Sequence, residues 1–424
     1  MSTTRREYSL TAAILVLAGL AFAAFAHAAP LADSAILFIG DGMGPVHVRL
    51  ARDAAGGQPL SLDAMPFSGL VTTREIGGRI TDSAAAGTAL ATGHKTTNGT
   101  IAMSPDGRRL TTILEVCNQK HKSTGVVTTD ALTGATPACF MVHVPDRGMR
   151  SEIALQAAES RVPVLLGFWK GAFLPESAGG SRTDGRDLIA EMRRVGYRVL
   201  DTKDALAAAD ERRLLGLFDD GAQAPSVAEM VAAALRPLGT NADGFFLAAE
   251  AARIDWKSHS NDPAGAVLDT LELDRAVGEA VEYARRRGRT LVVVTADHET
   301  GGLTIESPGR TRILGNVTLP SAALAGKLNA DRTNIADVLA EYAGLRDLSD
   351  SEVSQIKEAD SAEAAIAKLL SRRAGVTWST TGHTGAPVHV FAYGPGADRF
   401  TGEMDNTDIP KRIAEILGIG PLPE

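Results

Sequence analysis

The chain has 424 residues, 44% hydrophobic and 22% charged, the balance of a globular protein whose core can hold costly features such as clustered carboxylates. Its formal charge of -8, with no Lys/Arg block in the body of the chain, excludes the basic footprint of a nucleic-acid binder and leaves anion capture to local positive groups. Two cysteines, Cys117 and Cys139, are too few for a disulfide framework and read as buried thiols.

In chain order, the N-terminus comes first and reads as an export signal. Arg5 and Arg6 precede an apolar stretch over residues 10–26, and Ala26-His27-Ala28 supplies a small-x-small cleavage pattern. Residues 1–28 are thus expected to be removed on the way to the periplasm or the medium, leaving no membrane segment. Thr4-Arg5-Arg6-Glu7-Tyr8 is also similar to a twin-arginine signal.

Apolar runs at 35–39, 69–73, 125–128, 162–168, 244–248, 291–295 and 388–393 predict strands. Helical patterns fall between them at 83–92, 111–121, 149–160, 184–195, 226–235 and 264–287. This alternation predicts a three-layer α/β sandwich, a largely parallel central sheet covered by helices on both faces. Residues 305–375 are polar, helical and without a strong strand signal, and are expected to form an insertion over the sheet edge of a single domain spanning 29–424.

Several of these strands run into residues that ligate metals. The first leads to Gly40-Asp41-Gly42-Met43-Gly44, the fifth to Glu250 and the sixth to Asp297-His298. Ligands collect at the carboxyl ends of strands in such sheets, and carboxylates gathered there repel one another unless a cation lies between them. Asp255 and His259, four apart, share one face if the segment is helical. His383 stands in Gly382-His383-Thr384-Gly385, where glycines would give the imidazole room. His47, His121 and His389 carry no such pattern. In Thr81-Asp82-Ser83-Ala84-Ala85-Ala86-Gly87-Thr88 a serine opens a small-residue helix, whose N-terminus favours anions. The commoner reading of such a serine is an N-cap. No histidine base lies beside it, so a cation would have to activate the hydroxyl.

The run Ile80-Thr81-Asp82-Ser83-Ala84-Ala85-Ala86-Gly87-Thr88 closely resembles the active-site signature of the alkaline phosphatase family. The motif around Asp41, Ala135-Thr136-Pro137-Ala138, Glu250, Asp255 with His259, Thr295-Ala296-Asp297-His298-Glu299-Thr300-Gly301-Gly302 and His383-Thr384-Gly385 follow in the family's order. The resemblance spans roughly 34–396 and implies the alkaline-phosphatase-like fold. It implies that Asp255, His259 and His383 hold one Zn2+, and that Asp41, Asp297 and His298 hold a second, with Ser83 as exchangeable ligand and nucleophile. It further implies a Mg2+ site of Asp41, Thr136 and Glu250, and Arg147 as the clamp on the phosphoryl group of a small phosphate monoester. It favours a homodimer. Two positions depart from the family: Gly134 stands where an Asp or His usually supports the third ion, and Trp256 where some members have lysine. Water is expected to fill the space beside Gly134. A sulfatase would need a Cys/Ser-x-Pro-x-Arg setting that Ser83 lacks, a diesterase generally lacks the third site, and a non-catalytic metal or phosphate binder would not need Ser83.

Overall fold

Strands that are apolar on both faces fold only between two covering layers. The structure, a computed structural model describing residues 30–221 and 223–423, arranges its strands on that principle. The expected export signal at 1–28 lies outside the described residues. Along the chain come β1 (Ser34–Gly40), β2 (Phe67–Thr72), β3 (Ser123–Ala131), β4 (Val164–Phe168), β5 (Arg198–Leu200), β6 (Leu214–Phe218), β7 (Phe245–Ala251) and β8 (Thr290–Thr295). Four short strands, β9 (Glu299–Thr300), β10 (Leu303–Ile305), β11 (Val376–Trp378) and β12 (His383–Thr384), precede β13 (Val388–Tyr393) and β14 (Gly402–Asp405).

Ten strands form one sheet in the order β14-β2-β13-β8-β1-β7-β3-β4-β6-β5. All pairings in it are parallel except those of β13, which runs antiparallel to both β2 and β8. The central strands β1, β7 and β8 are buried at every residue, as their unbroken apolar runs require. The seven sequence-predicted strands are all in this sheet. The three that pattern reading missed are β5, β6 and β14: β5 and β14 are short, partly exposed and end the sheet, and β6 is a five-residue apolar run too brief to separate from a helical turn.

The long helix Pro263–Arg287 starts at a proline, where a missing N–H costs nothing, and ends at Gly288 with φ +76°. Its buried face (Leu273, Val277, Ala280) joins the main core with β1 and β8. The segment after β10 contains helices Ile335–Tyr342, Asp350–Glu358 and Ala362–Ala374 and returns to the body through the β10–β11 ribbon. It does not lie over the sheet edge. Leu324, Ile335, Leu339, Ile366, Leu369 and Leu370 form a second apolar cluster with Leu50, Ala264 and Val267. The last three sit on the outward faces of Pro45–Ala54 and Pro263–Arg287, so the segment covers the helix layer, where apolar surface was left to bury.

The helix Ser83–Thr92 is buried at all ten residues. Its alanines and Gly87 let it approach the short helix Ala135–Ala138: a Cβ at Gly87 would stand 3.0 Å from Cys139 Sγ and 3.4 Å from Thr136 Cα. Gly87→Val should therefore overpack this contact and destabilise the protein by about 1–3 kcal/mol. Adding Cys139→Ala, which removes the nearest atom, should return part of that loss. Urea unfolding of both variants checks it, and a double variant no more stable than Gly87→Val alone would contradict the contact.

Candidate metal centre and nucleophile

The adjacent strands β8, β1, β7 and β3 deliver the candidate residues at their carboxyl ends. Asp41 follows β1, Asp297 and His298 follow β8, Glu250 lies near the end of β7, and Thr136 sits in the short helix after β3. Asp255 and His259 belong to the helix Arg253–His259. Gly42 explains the glycines around Asp41. It has φ +73°, its N–H donates to Asp297 Oδ1 at 3.1 Å, and a Cβ there would meet the Asp255 backbone at 2.8 Å. Only glycine lets this turn lie so close to the helix Arg253–His259.

Two groups of ligand atoms each fall within 4.8 Å of one another: Asp255 with His298 and His383, and Asp41 with Asp297 and His298. His298 stands at their junction, its ring stacked on His383 at 3.5 Å between centroids. Its Nε2 lies 3.2 Å from Asp297 Oδ2 and 3.6 Å from Asp41 Oδ1. His259 reaches in from the exposed side, with Nε2 3.2 Å from Asp255 Oδ2, and His383 Nε2 is 3.7 Å from Asp255 Oδ1.

The other ring nitrogens are engaged elsewhere. His383 Nδ1 lies 3.0 Å from the Thr81 carbonyl oxygen and His259 Nδ1 bonds the Thr381 carbonyl. A carbonyl can only accept, so each Nδ1 carries a proton, and each Nε2 would be the ligand atom once a cation takes the place of any proton it holds. His298 Nδ1 is 3.3 Å from Thr300 Oγ1, which donates to Asp255 Oδ1.

Burial and mutual charge set the protonation of the acids. Asp41 is pushed well above the carboxylate range, first by burial and then by Asp297, Asp255 and Glu250. Burial, with the charge of Asp130, pushes Glu250 up to about 8, against the hydrogen bond from Thr128 that favours its charged form. Burial opposes ionisation of Asp255 too, yet the hydrogen bond from His259 and the nearby His298 hold it at about 2. The bond to Asp255 in turn raises His259 to about 9. Three buried oxygens, Asp41 Oδ1, Asp297 Oδ2 and Thr136 Oγ1, have no hydrogen-bond partner. Buried oxygens are rarely left so, and these three lie where cation ligands are expected. The oxygen-rich side suits Mg2+, and the mixed imidazole and carboxylate side suits Zn2+.

Ser83 is the first residue of its helix, but Asp82 is the N-cap: its Oδ1 accepts from Ala85 N–H at 2.9 Å. The capping role thus falls on Asp82 and leaves the Ser83 hydroxyl free, 3.4 Å from His298 Nε2. Arg147, half-exposed, donates from Nη1 to Asp82 Oδ2 at 3.0 Å, so its guanidinium is held beside the helix that Ser83 begins.

Sequence reading did not find the supporting residues. Besides Thr300, these include Glu299, whose carboxylate accepts from Gly302 N–H and Leu303 N–H at 3.2 Å each and from Thr384, so tying the His298 loop to β12. Adjacency to the Asp297-His298 motif was their sole signal. The glycines around His383 are not what admits it, since a Cβ at Gly382 or Gly385 would meet nothing nearer than 3.6 Å. His383 is placed instead by the β12–β9 ribbon, opposite Thr300. Trp256 stacks on Trp169 with centroids 5.7 Å apart. His47 is buried and bonded to Ser258, whereas His121 lies exposed in a surface turn. Cys117 and Cys139 are free, buried thiols, each pushed by burial up to about 12.

Comparison with known proteins gives the family. The alkaline phosphatase family model matches residues 32–419. Alkaline phosphatase 4 of Bacillus subtilis is 36% identical, over 91% of this chain and 88% of its own. The cold-active alkaline phosphatase of a psychrophilic Shewanella superposes with a TM-score of 0.83 at 31% identity, over 91% of this chain and 99% of that one. A variant of the alkaline phosphatase from the Antarctic bacterium TAB5, solved with Mg bound in its M3 site, superposes with a TM-score of 0.69 at 26% identity, over 92% and 98%. The chain belongs to the alkaline phosphatase family, enzymes that hydrolyse phosphate monoesters.

Proposed function

We propose that the chain is an exported phosphomonoesterase in which Ser83 Oγ attacks the phosphorus of a small monoester as the ester P–O bond breaks and the alcohol leaves, giving a phosphoserine that water then hydrolyses to free serine and inorganic phosphate. Cleavage after Ala28 would release a single catalytic domain of 29–424 carrying the helical segment near 305–375 as an insertion. The observation that carries this reading is the free Ser83 hydroxyl beside His298, at the junction of two carboxylate–imidazole sets that contain unpartnered buried oxygens. Asp255, His259 and His383 would hold one Zn2+, Asp41, Asp297 and His298 the other, and Asp41, Thr136 and Glu250 a Mg2+. The TAB5 relative with Mg in its M3 site supports the third ion. Bound there, such cations lower the pKa of the attacking hydroxyl and offset charge that builds on the phosphoryl oxygens.

The chain's own residues do the rest. The helix beginning at Ser83 aims its unpaired N–H groups toward the incoming anion. Arg147 turns from Asp82 to grip two non-bridging oxygens with its planar fork, orienting phosphorus for in-line attack. Asp82 stays in place because Gly99 N–H and Ala85 N–H also hold its carboxylate.

Rates on 4-nitrophenyl phosphate, its bis-ester and 4-nitrophenyl sulfate test the reaction class, with turnover expected to be highest for the monoester. Ser83→Ala should abolish acid-trapped phosphoenzyme and lower kcat by roughly three orders of magnitude or more. A mutant with parental turnover, or a parent that prefers the bis-ester or the sulfate, contradicts the proposal.

A second expectation concerns pH. His259 at about 9 and Glu250 at about 8 both hold a proton more tightly than their ordinary values of 6.5 and 4.5. Stability from such groups is complete below the ordinary value and is lost as pH rises through the raised one. Chelated protein should therefore lose stability between pH 4.5 and 9, through Glu250 from 4.5 to about 8 and His259 from 6.5 to about 9, while protein whose protons are replaced by cations should not. The Tm gap between the Zn2+/Mg2+-loaded and chelated forms should widen over that range. A gap that stays constant or narrows contradicts it.

A further inference from the structure

Gly134 removes a side chain from the edge of the third cation site, but it does not leave a space for water. A Cβ built at Gly134 collides with Asp130 Oδ2 and lies 3.0 Å from the Ala131 carbonyl oxygen. The turn between the two residues is closed by Gly134 N–H donating to that carbonyl at 2.8 Å, which folds position 134 back over Asp130. One volume can hold the Asp130 carboxylate or a side chain at 134, not both.

The backbone shows why Asp130 points there. β3 pairs with β4 in register as far as Val127 and Leu166, and the next pairing is Ala131 with Phe168, so β3 is irregular between them. Such irregularities re-aim side chains at strand ends. Within this stretch Asp130 N–H donates to Thr128 Oγ1 at 2.8 Å, and the same hydroxyl donates to Glu250 Oε2. Asp130 is thus one hydroxyl away from a residue of the third site, and its charge bears on Glu250 more than that of Asp297 does. Asp130 Oδ1 is taken by Ala131 N–H at 2.6 Å, while Oδ2 is the atom facing position 134. The arginines whose charge reaches Asp130 are Arg150, Arg147 and Arg253, of which the last two are paired with Asp82 and Asp220.

We infer that Asp130 supplies, from the end of β3, the carboxylate that position 134 lacks, as a positioning residue for a Mg2+-type cation held by Asp41, Thr136 and Glu250. The inference rests on the third-site reading given above. Asp130 and Gly134 then form one compensated pair, and the third site is complete rather than loosened.

Titration of Mg2+ into Zn2+-loaded protein by calorimetry, with zinc content measured in each variant, tests this without using turnover. Asp130→Ala should raise the Mg2+ Kd by about 10–100-fold with zinc content unchanged, as loss of a supporting partner does. Asp130→Asn, which keeps the volume, should also weaken Mg2+ and guards against a packing defect in the alanine variant. Gly134→Asp alone should lower Tm, because two carboxylates then compete for one place. The pair Asp130→Ala/Gly134→Asp should restore the parental Mg2+ Kd to within about threefold, a rescue that a purely structural Asp130 would not give. An unchanged Kd in both Asp130 variants, or failure of the double variant to recover binding, overturns the place of Asp130. Absence of Mg2+ binding by the zinc-loaded parent overturns the third-site reading and this inference with it.

Discussion

Electrostatic repulsion among buried carboxylates is the constraint on which this architecture depends. Asp41, Asp297, Asp255 and Glu250 converge at the ends of adjacent strands and are all nearly excluded from solvent. Such a cluster cannot remain fully ionised without compensating positive charge. The fold answers with imidazoles on one side, threonine hydroxyls on the other, and buried oxygens left open towards the middle. The rigid central sheet makes this tolerable. β1, β7 and β8 are buried along their whole length, and their packing energy holds together groups that would otherwise separate.

The same constraint accounts for the environment of Ser83. A serine hydroxyl is a poor nucleophile at neutral pH, and among the described residues the side chain that bonds the Ser83 hydroxyl is His298. His298 is close to Ser83, but burial lowers its pKa and its Nε2 also faces Asp41 and Asp297. Its position suits a ligand better than a proton shuttle. Capping by Asp82 frees Ser83 from helix-end duty, and the same carboxylate holds Arg147 close by. A single acid therefore ties helix geometry to the placement of the Arg147 guanidinium.

Much of this placement was legible in the sequence, because the apolar strands and the residues capable of ligating a cation adjoin there. An apolar run followed at once by Asp297-His298, or by Asp41 between glycines, announces both a buried strand and what stands at its end. Other parts were hidden for physical reasons. Asp130 reads as an ordinary strand-end turn residue, and nothing in the order of letters says that it occupies the volume vacated at Gly134. The insertion's helices were readable, but not the surface they cover, since Leu50, Ala264 and Val267 belong to helices far away in sequence. The glycines beside His383 suggested a need for space that the β12–β9 ribbon already provides.

The manner in which the histidines are oriented bears on how this centre can drift over evolutionary time. His383 and His259 are aligned by main-chain carbonyls, those of Thr81 and Thr381, and every amino acid carries a carbonyl. Substitution at 81 or 381 is therefore nearly silent for imidazole orientation so long as the backbone path is kept. His298 and Asp255 instead share a side-chain hydroxyl, that of Thr300, which only serine could replace in kind. Two of the three imidazoles are thus steered by something mutation cannot delete, and sequence variation tolerated around them is a poor gauge of their importance.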